Sequence, residues 1–250
     1  MLASYKYIGI IPARFGSTRF PGKPLVNIHG KPMIQWVYEQ ASKELETIFV
    51  ATDDERIRRA VMDFGGRAVM TSASHKSGTD RCAEAVLLAE QECKVTFDVV
   101  LNIQGDEPFI EPAQLALLKH CFDTPGTQIA TLVKTAGPDE DIFDPNRPKV
   151  ILNAKHEALY FSRSAIPFFR GGEPAQWVKL HPYYLHIGLY GYLKEVLLEI
   201  TRLPQSPLEL AESLEQLRWI ENGYRISVRL TTYDSFGIDT PEDLGRIPGV

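Results

Sequence analysis

No stretch of this 250-residue chain approaches the roughly 20 consecutive apolar residues that crossing a bilayer requires. The one apolar run near the N-terminus, residues 7–12, is too short for a secretory leader. Pro12 and Arg14 also stand where a small-residue cleavage site would be needed. Cysteine is scarce: Cys82, Cys93 and Cys121 form neither a CxxC pair nor a Cys/His metal spacing. Reduced, mostly buried thiols are therefore expected, and the cytoplasm is the expected compartment. Basic charge is not in excess. With 27 Lys and Arg against 32 Asp and Glu the net charge is −5, which argues against a nucleic-acid partner. A small anionic ligand stays open, because a local cluster of cations can sit on an acidic protein. Two glycine fingerprints are also missing: the GxxxxGK[ST] of P-loop proteins and the GxGxxG of Rossmann dehydrogenases. There is no internal repeat and no low-complexity segment.

What is present is an alternation of strand-like and helix-like segments over the first 135 residues. Strand character falls at 7–12, 47–51, 67–71, 98–103 and 129–134. Helical character falls between them, at 32–43, 54–64, 79–91 and 111–121. This order predicts an α/β fold, a mostly parallel mixed sheet flanked by helices. After about residue 137 the rhythm changes. Segments 149–152, 159–161, 183–192 and 226–232 read as strands without regular intervening helices, and one helix is expected from about 208 to 221. The expectation is a single domain. Residues 1–136 and 233–250 form its nucleotide-binding part, and residues 137–232 form a smaller lobe.

The loop after the first strand, PARFGSTRFPGKPL (12–25), carries the clearest chemistry. It follows a strand's carboxyl end, where open α/β sheets bind ligands. Its small residues, among them Ala13 and Ser17, let backbone N–H groups approach phosphate oxygens. Arg14, Arg19 and Lys23 supply positive charge. A solvated surface loop is the plain alternative. Gln104 and Asp106 follow another apolar strand. Asp106 is a natural Mg²⁺ ligand, since that ion takes one or two carboxylates with phosphates and water. It is otherwise a helix cap. Ser77 and Gly78 precede a helix whose N-terminus favours negative charge. Ser77 or Thr79 would equally serve as an ordinary N-cap.

The string IIPARFGSTRFPGKPL resembles the N-terminal signature of the 3-deoxy-manno-octulosonate (Kdo) cytidylyltransferases. Seven further strings follow in the same order: ATDD (51–54), KSGTDR (76–81), NIQGDEP (102–108), FSRS with IP (161–167), HIGLY (186–190), LEQLR (214–218) and GIDTPED (237–243). Asp80 stands where the family more usually has Glu.

The resemblance implies a nucleotide-diphospho-sugar transferase-like fold with a sugar-binding and dimerisation lobe. It implies transfer of CMP from CTP to an acidic, Kdo-like sugar, with Mg²⁺ as cofactor, in a homodimer serving lipopolysaccharide biosynthesis. Arg14, Lys23 and Asp106 would be catalytic. Ala13, Arg14, Ser17, Lys23, Ser77, Gly78, Arg81 and Gln104 would hold the nucleotide. Asp239 becomes the second metal ligand only through this resemblance, because DTPED otherwise reads as an ordinary helix start. For the sugar, Arg163 suits a carboxylate. Gln104, His186, Tyr190, Glu215 and Gln216 offer groups for hydroxyls, although His186 and Tyr190 also suit half-buried packing in an aromatic strand. The stretch 183–193 reads as a dimer interface or as core. A related acid (8-amino-Kdo or a sialic acid) and a non-catalytic nucleotide-binding protein are the alternatives.

Overall fold

The computed structural model describes residues 5–16 and 20–247. The chain forms two compact units: Met1–Ala116 with Leu189–Thr201 and Ser235–Val250, and Leu117–Gly188 with Arg202–Asp234.

In the first unit β1 (Tyr7–Ala13) leads into a small hairpin, β2 (Asn27–Ile28) and β3 (Lys31–Pro32). Then come α1 (Met33–Ala41), β4 (Ile48–Thr52), α2 (Glu55–Asp63), β5 (Ala68–Met70), α3 (Gly78–Cys93) and β6 (Val99–Asn102). β6, β1, β4 and β5 lie side by side and parallel, with Ile8 opposite Val100 and Ile10 opposite Phe49. Ile8, Ile10, Ile11 and the β4 residues Phe49, Val50 and Ala51 are wholly buried. Such unbroken apolar runs are what a parallel sheet covered on both faces demands. α3 buries Cys82, Ala85, Val86 and Ala89, the face its sequence periodicity marks. Asp54 caps α2, and Ser77 caps α3.

α4 (Pro112–Cys121) carries the chain into the second unit. There β7 (Ile129–Thr135), β8 (Lys149–Leu152), β9 (Ala158–Ser162) and the short α5 (Trp177–Leu180) precede β10 (Tyr184–Leu193). β8 runs antiparallel to β9 and to the start of β10, while the end of β10 runs antiparallel to β6 in the first unit's sheet. α6 (Lys194–Ile200) follows, then α7 (Pro207–Glu212), α8 (Gln216–Glu221) and β11 (Ile226–Thr231), which lies parallel to β7. Ala136, Ile142, Trp177, Tyr183 and Leu185 form a core cluster of the second unit. Trp219 is buried too, and Trp36 is half-buried with its indole N–H on the Ile28 carbonyl.

The expected strands appear with ends moved by no more than one residue. The helix expected over 208–221 is two helices. Ser213 adopts a left-handed conformation (φ 52°), which ends α7 and turns the chain before α8. α5 and α6 interrupt a region expected to lack regular helices. Cys82 and Cys121 are buried, and all three cysteines are free thiols. Among the described residues, no helix is long and apolar enough to cross a membrane.

Candidate active site

The site begins where β1 stops. Beyond Ala13 the chain loops back, and the Gly22 N–H donates to the Phe15 carbonyl at 3.0 Å. Gly22 holds φ at 73°, a conformation glycine adopts without penalty. The Arg56 guanidinium lies 3.4 Å from the centre of the Phe15 ring and pins that side of the loop. A single 3₁₀ turn, Lys23–Leu25, then aims Lys23 inward. Its ammonium donates to Asp106 at 2.7 Å and to Asp239 at 3.2 Å. The lysine side chain is 13% exposed, the carboxylates 31% and 49%, so the cation is the shielded member and the acids face outward. Ser17 and Arg19 lie outside the described residues.

Both acids are relieved of the capping roles their sequence context offered. Gln114 Oε1 accepts the Glu111 N–H at the start of α4, and the Asp106 carboxylate turns to Lys23 instead. Thr240 and Asp243 form a reciprocal capping box on the 3₁₀ helix Pro241–Arg246, while the Asp239 carboxylate meets Lys23. The Ile238 N–H donates to the Asp106 carbonyl at 2.9 Å and fixes one acid's segment to the other's. Gly105, next to Asp106, lets its loop lie against the end of β1: a Cβ there would lie 2.6 Å from the Pro12 carbonyl oxygen.

On the α3 side Ser77 and Asp80 cap the helix reciprocally, so Asp80 fills the position of the usual Glu without loss of the box. Thr79 is buried. Gly78 is not sterically required, since a Cβ there would meet Pro12 at an ordinary 3.4 Å. Arg81 is 4% exposed; it donates to Thr71 at 2.6 Å and to Asp53 at 2.9 Å. One cavity of about 260 Å³ collects Ala13, Arg14, Lys23, Ser77, Gly78, Arg81, Gln104, Asp106 and Asp239.

Of the residues expected to bind the sugar, Gln104 lines this cavity and the other five do not. Arg163 donates to the Glu212, Pro145 and Ser213 carbonyls at 2.6, 2.8 and 3.2 Å, which takes up three of its five N–H groups. His186 lies edge-on to Phe161 and 3.0 Å from the Thr131 hydroxyl. Burial pushes its imidazole down to about 3, so the ring is neutral. Tyr190 is buried opposite Asn102 in the strand register and stacks on Tyr192. Glu215 sits 3.7 Å from Arg218, and Gln216 is buried at the start of α8. Of these five, all but Tyr190 belong to the second unit.

Four residues escaped the sequence reading. His75 also lines the cavity and is paired with Glu84. Asp53 anchors Arg81. Glu107, beside Asp106, is buried and accepts the Ser235 hydroxyl at 2.6 Å. Burial, with Asp106 adding to it, pushes the Glu107 carboxyl up to about 7 against the pull of Ser235. The ATDD and NIQGDEP strings contain Asp53 and Glu107, but nothing local identifies their partners.

Among the described residues no group of three His, Cys, Asp or Glu side chains is placed to hold a metal alone. Asp106 and Asp239 do share one cation, Lys23. Two carboxylates around a common positive charge are a donor set that fits Mg²⁺ when phosphate oxygens complete the shell.

The sequence matches the family model described as "Cytidylyltransferase" over residues 8–226. It is similar to proteins named 3-deoxy-manno-octulosonate cytidylyltransferase from Parabacteroides distasonis (59% identical over 245 residues, 96% of each chain) and Bacteroides thetaiotaomicron (60% over 242 residues, 96% of this chain and 95% of that). A solved CMP:2-keto-3-deoxy-manno-octonic acid synthetase complexed with CTP superimposes with a TM-score of 0.86 at 42% identity, covering 96% of each chain. A cytidylyltransferase from Leptospira borgpetersenii, 16% identical with a TM-score of 0.59 over 96% of this chain and 83% of that, shares the fold. Identity of this level over nearly the whole length places the chain in the 3-deoxy-manno-octulosonate cytidylyltransferases, a family of nucleotidyltransferase enzymes.

Proposed function

We propose that the chain transfers CMP from CTP to the anomeric hydroxyl of Kdo, giving CMP-Kdo and pyrophosphate for lipopolysaccharide biosynthesis in the cytoplasm. The observation that carries this is Lys23 held between Asp106 and Asp239, in a cavity that also contains Arg14 and the capped start of α3.

Charge builds on the leaving pyrophosphate as the α-phosphorus is attacked. Preorganised cations favour that state over the ground state. Lys23 and Arg14 supply them, Ala13 lies beside them, and the resemblance adds Ser17 to the nucleotide's contacts. Ser77, Gly78, Arg81 and Gln104 hold the nucleoside, and Gln104 also reaches the sugar. Asp106 and Asp239 hold Mg²⁺, which when bound lowers the nucleophile's pKa and neutralises triphosphate charge. The residues of the second unit, Arg163, His186, Glu215 and Gln216, together with Tyr190, bind the acidic sugar. Residues 137–232 also provide the surface of a homodimer.

The test is pyrophosphate release from four nucleoside triphosphates against Kdo, 8-amino-Kdo and a sialic acid, with Mg²⁺. CTP with Kdo is expected to give the highest kcat/KM. Preference for another acid would reassign the sugar, and no release from any pair would leave only nucleotide binding.

A further inference from the structure

A second cavity, of about 330 Å³, opens beside the end strand β11 and is larger than the one at Lys23. All of its lining residues belong to the second unit. The proposed reaction uses none of them. Part of the lining is apolar: Leu117 and Cys121 from α4, Val228 and Leu230 from β11. Leu230 is exposed, so this apolar surface reaches solvent. Burial pushes the Cys121 thiol up to about 11 against the pull of Arg229. The thiol is therefore neutral and behaves as a small apolar group.

The rest of the lining is basic. Lys155, His156 and Arg229 all border the cavity, and no carboxylate does. The acids flanking these segments are engaged elsewhere. Asp123 meets His120 at 2.9 Å, and Glu157 meets Asn153 at 2.8 Å and Arg225 at 3.7 Å. The contrast with the rest of the chain is clear: its net charge is −5, and Lys134, Arg147, Lys194 and Arg218 each meet a carboxylate. The basic segments are also held in place. Asn153 Oδ1 accepts the Lys155 and Glu157 N–H groups at 2.8 and 2.9 Å, and His156 holds φ at 56° in that turn. The His156 carbonyl accepts the Val228 N–H at 2.8 Å, which ties the turn to β11. Arg229 donates to the His120 carbonyl at 2.8 Å, which uses one of its five N–H groups.

Uncompensated cations beside an apolar surface fit an anion that carries an apolar body. A phosphate monoester suits them better than a carboxylate. It brings a charge of about −1.5 to −2 and three acceptor oxygens, and a guanidinium can hold two of those at once. The cavity is of the size that takes a small molecule. We propose that it binds a small phosphate monoester, with the phosphate on Lys155, His156 and Arg229 and the apolar body on Leu117, Val228 and Leu230. The two cavities share no lining residue, so the assignment stands apart from the cytidylyl-transfer reading.

The test is equilibrium binding of phenyl phosphate, inorganic phosphate and benzyl alcohol to the full chain and to its Lys155→Glu and Arg229→Gln variants. Lys155 is exposed on a turn, so its variant covers the case that Arg229→Gln folds poorly. Phenyl phosphate is expected to bind the wild type about tenfold or more tighter than either fragment, because only it fills both halves of the cavity. Each substitution should weaken phenyl phosphate about tenfold or more. Excess CTP with Mg²⁺ should leave its affinity unchanged. No saturable binding would overturn the proposal, as would binding no tighter than that of inorganic phosphate. Binding that CTP displaces and that survives both substitutions would place the ligand at Lys23 and equally overturn it.

Discussion

His186 gives a residue-scale prediction with a definite sign. Its imidazole is held neutral in the fold, with a pKa near 3, whereas in the unfolded chain it titrates near the ordinary value of about 6.5. Between those values the unfolded state binds the extra proton. The stability His186 contributes is therefore complete above about pH 6.5 and is lost as pH falls toward 3, by at most about 1.4 kcal/mol per pH unit. Comparing denaturant midpoints of wild type and His186→Gln cancels the other titrating groups. The gap in the wild type's favour is expected to shrink steadily from pH 7 to pH 4, and a gap independent of pH would contradict the burial argument. The same scale shows what could be read in advance. Asp106 was legible because a carboxylate just past an apolar strand has few places to point. Arg163 was less so: its carbonyl partners lie at positions 145, 212 and 213, which no local pattern reveals. Arg218, inside the LEQLR string, turns out to be buried in a two-pronged pair with Glu209 at 2.8 and 2.6 Å.

At the scale of elements, strands and caps were legible because each depends on adjacent residues. The apolar runs of β1, β4 and β6 fix the buried sheet, and Ser77 with Asp80 fixes the start of α3. The break between α7 and α8 was not legible, because a serine in a left-handed conformation carries no compositional mark. Nor was the contact of the β1 and β6 loops, which positions the whole site. Gly105→Ala tests that contact. Its Cβ would press on the Pro12 carbonyl, a backbone atom that moves only with the loop. Overpacking of this kind costs about 1–3 kcal/mol. Thermal unfolding is expected to shift by that amount, and kcat/KM should fall further because Asp106 moves with the loop. Unchanged melting and turnover would show that the two loops tolerate separation.

Considered as a whole molecule, the protein assembles its cavity from one unit alone, yet Lys23 and Asp239 are 216 positions apart. The alternation of strands and helices foretold the parallel sheet, and sheet geometry foretold that ligand chemistry would gather at strand ends. The closing of the C-terminal segment onto that site was foretold only by resemblance, since physical reading alone left Asp239 as a helix start. The central claim is that Lys23, Asp106 and Asp239 form one phosphate- and metal-handling centre. The most direct measurement is pyrophosphate release from CTP and Kdo by Asp106→Asn, with thermal unfolding as the control. Turnover is expected to fall by about 100-fold or more, the scale of losing one preorganised charge, while unfolding barely shifts. An Asp106→Asn protein that turns over near the wild-type rate would contradict the account.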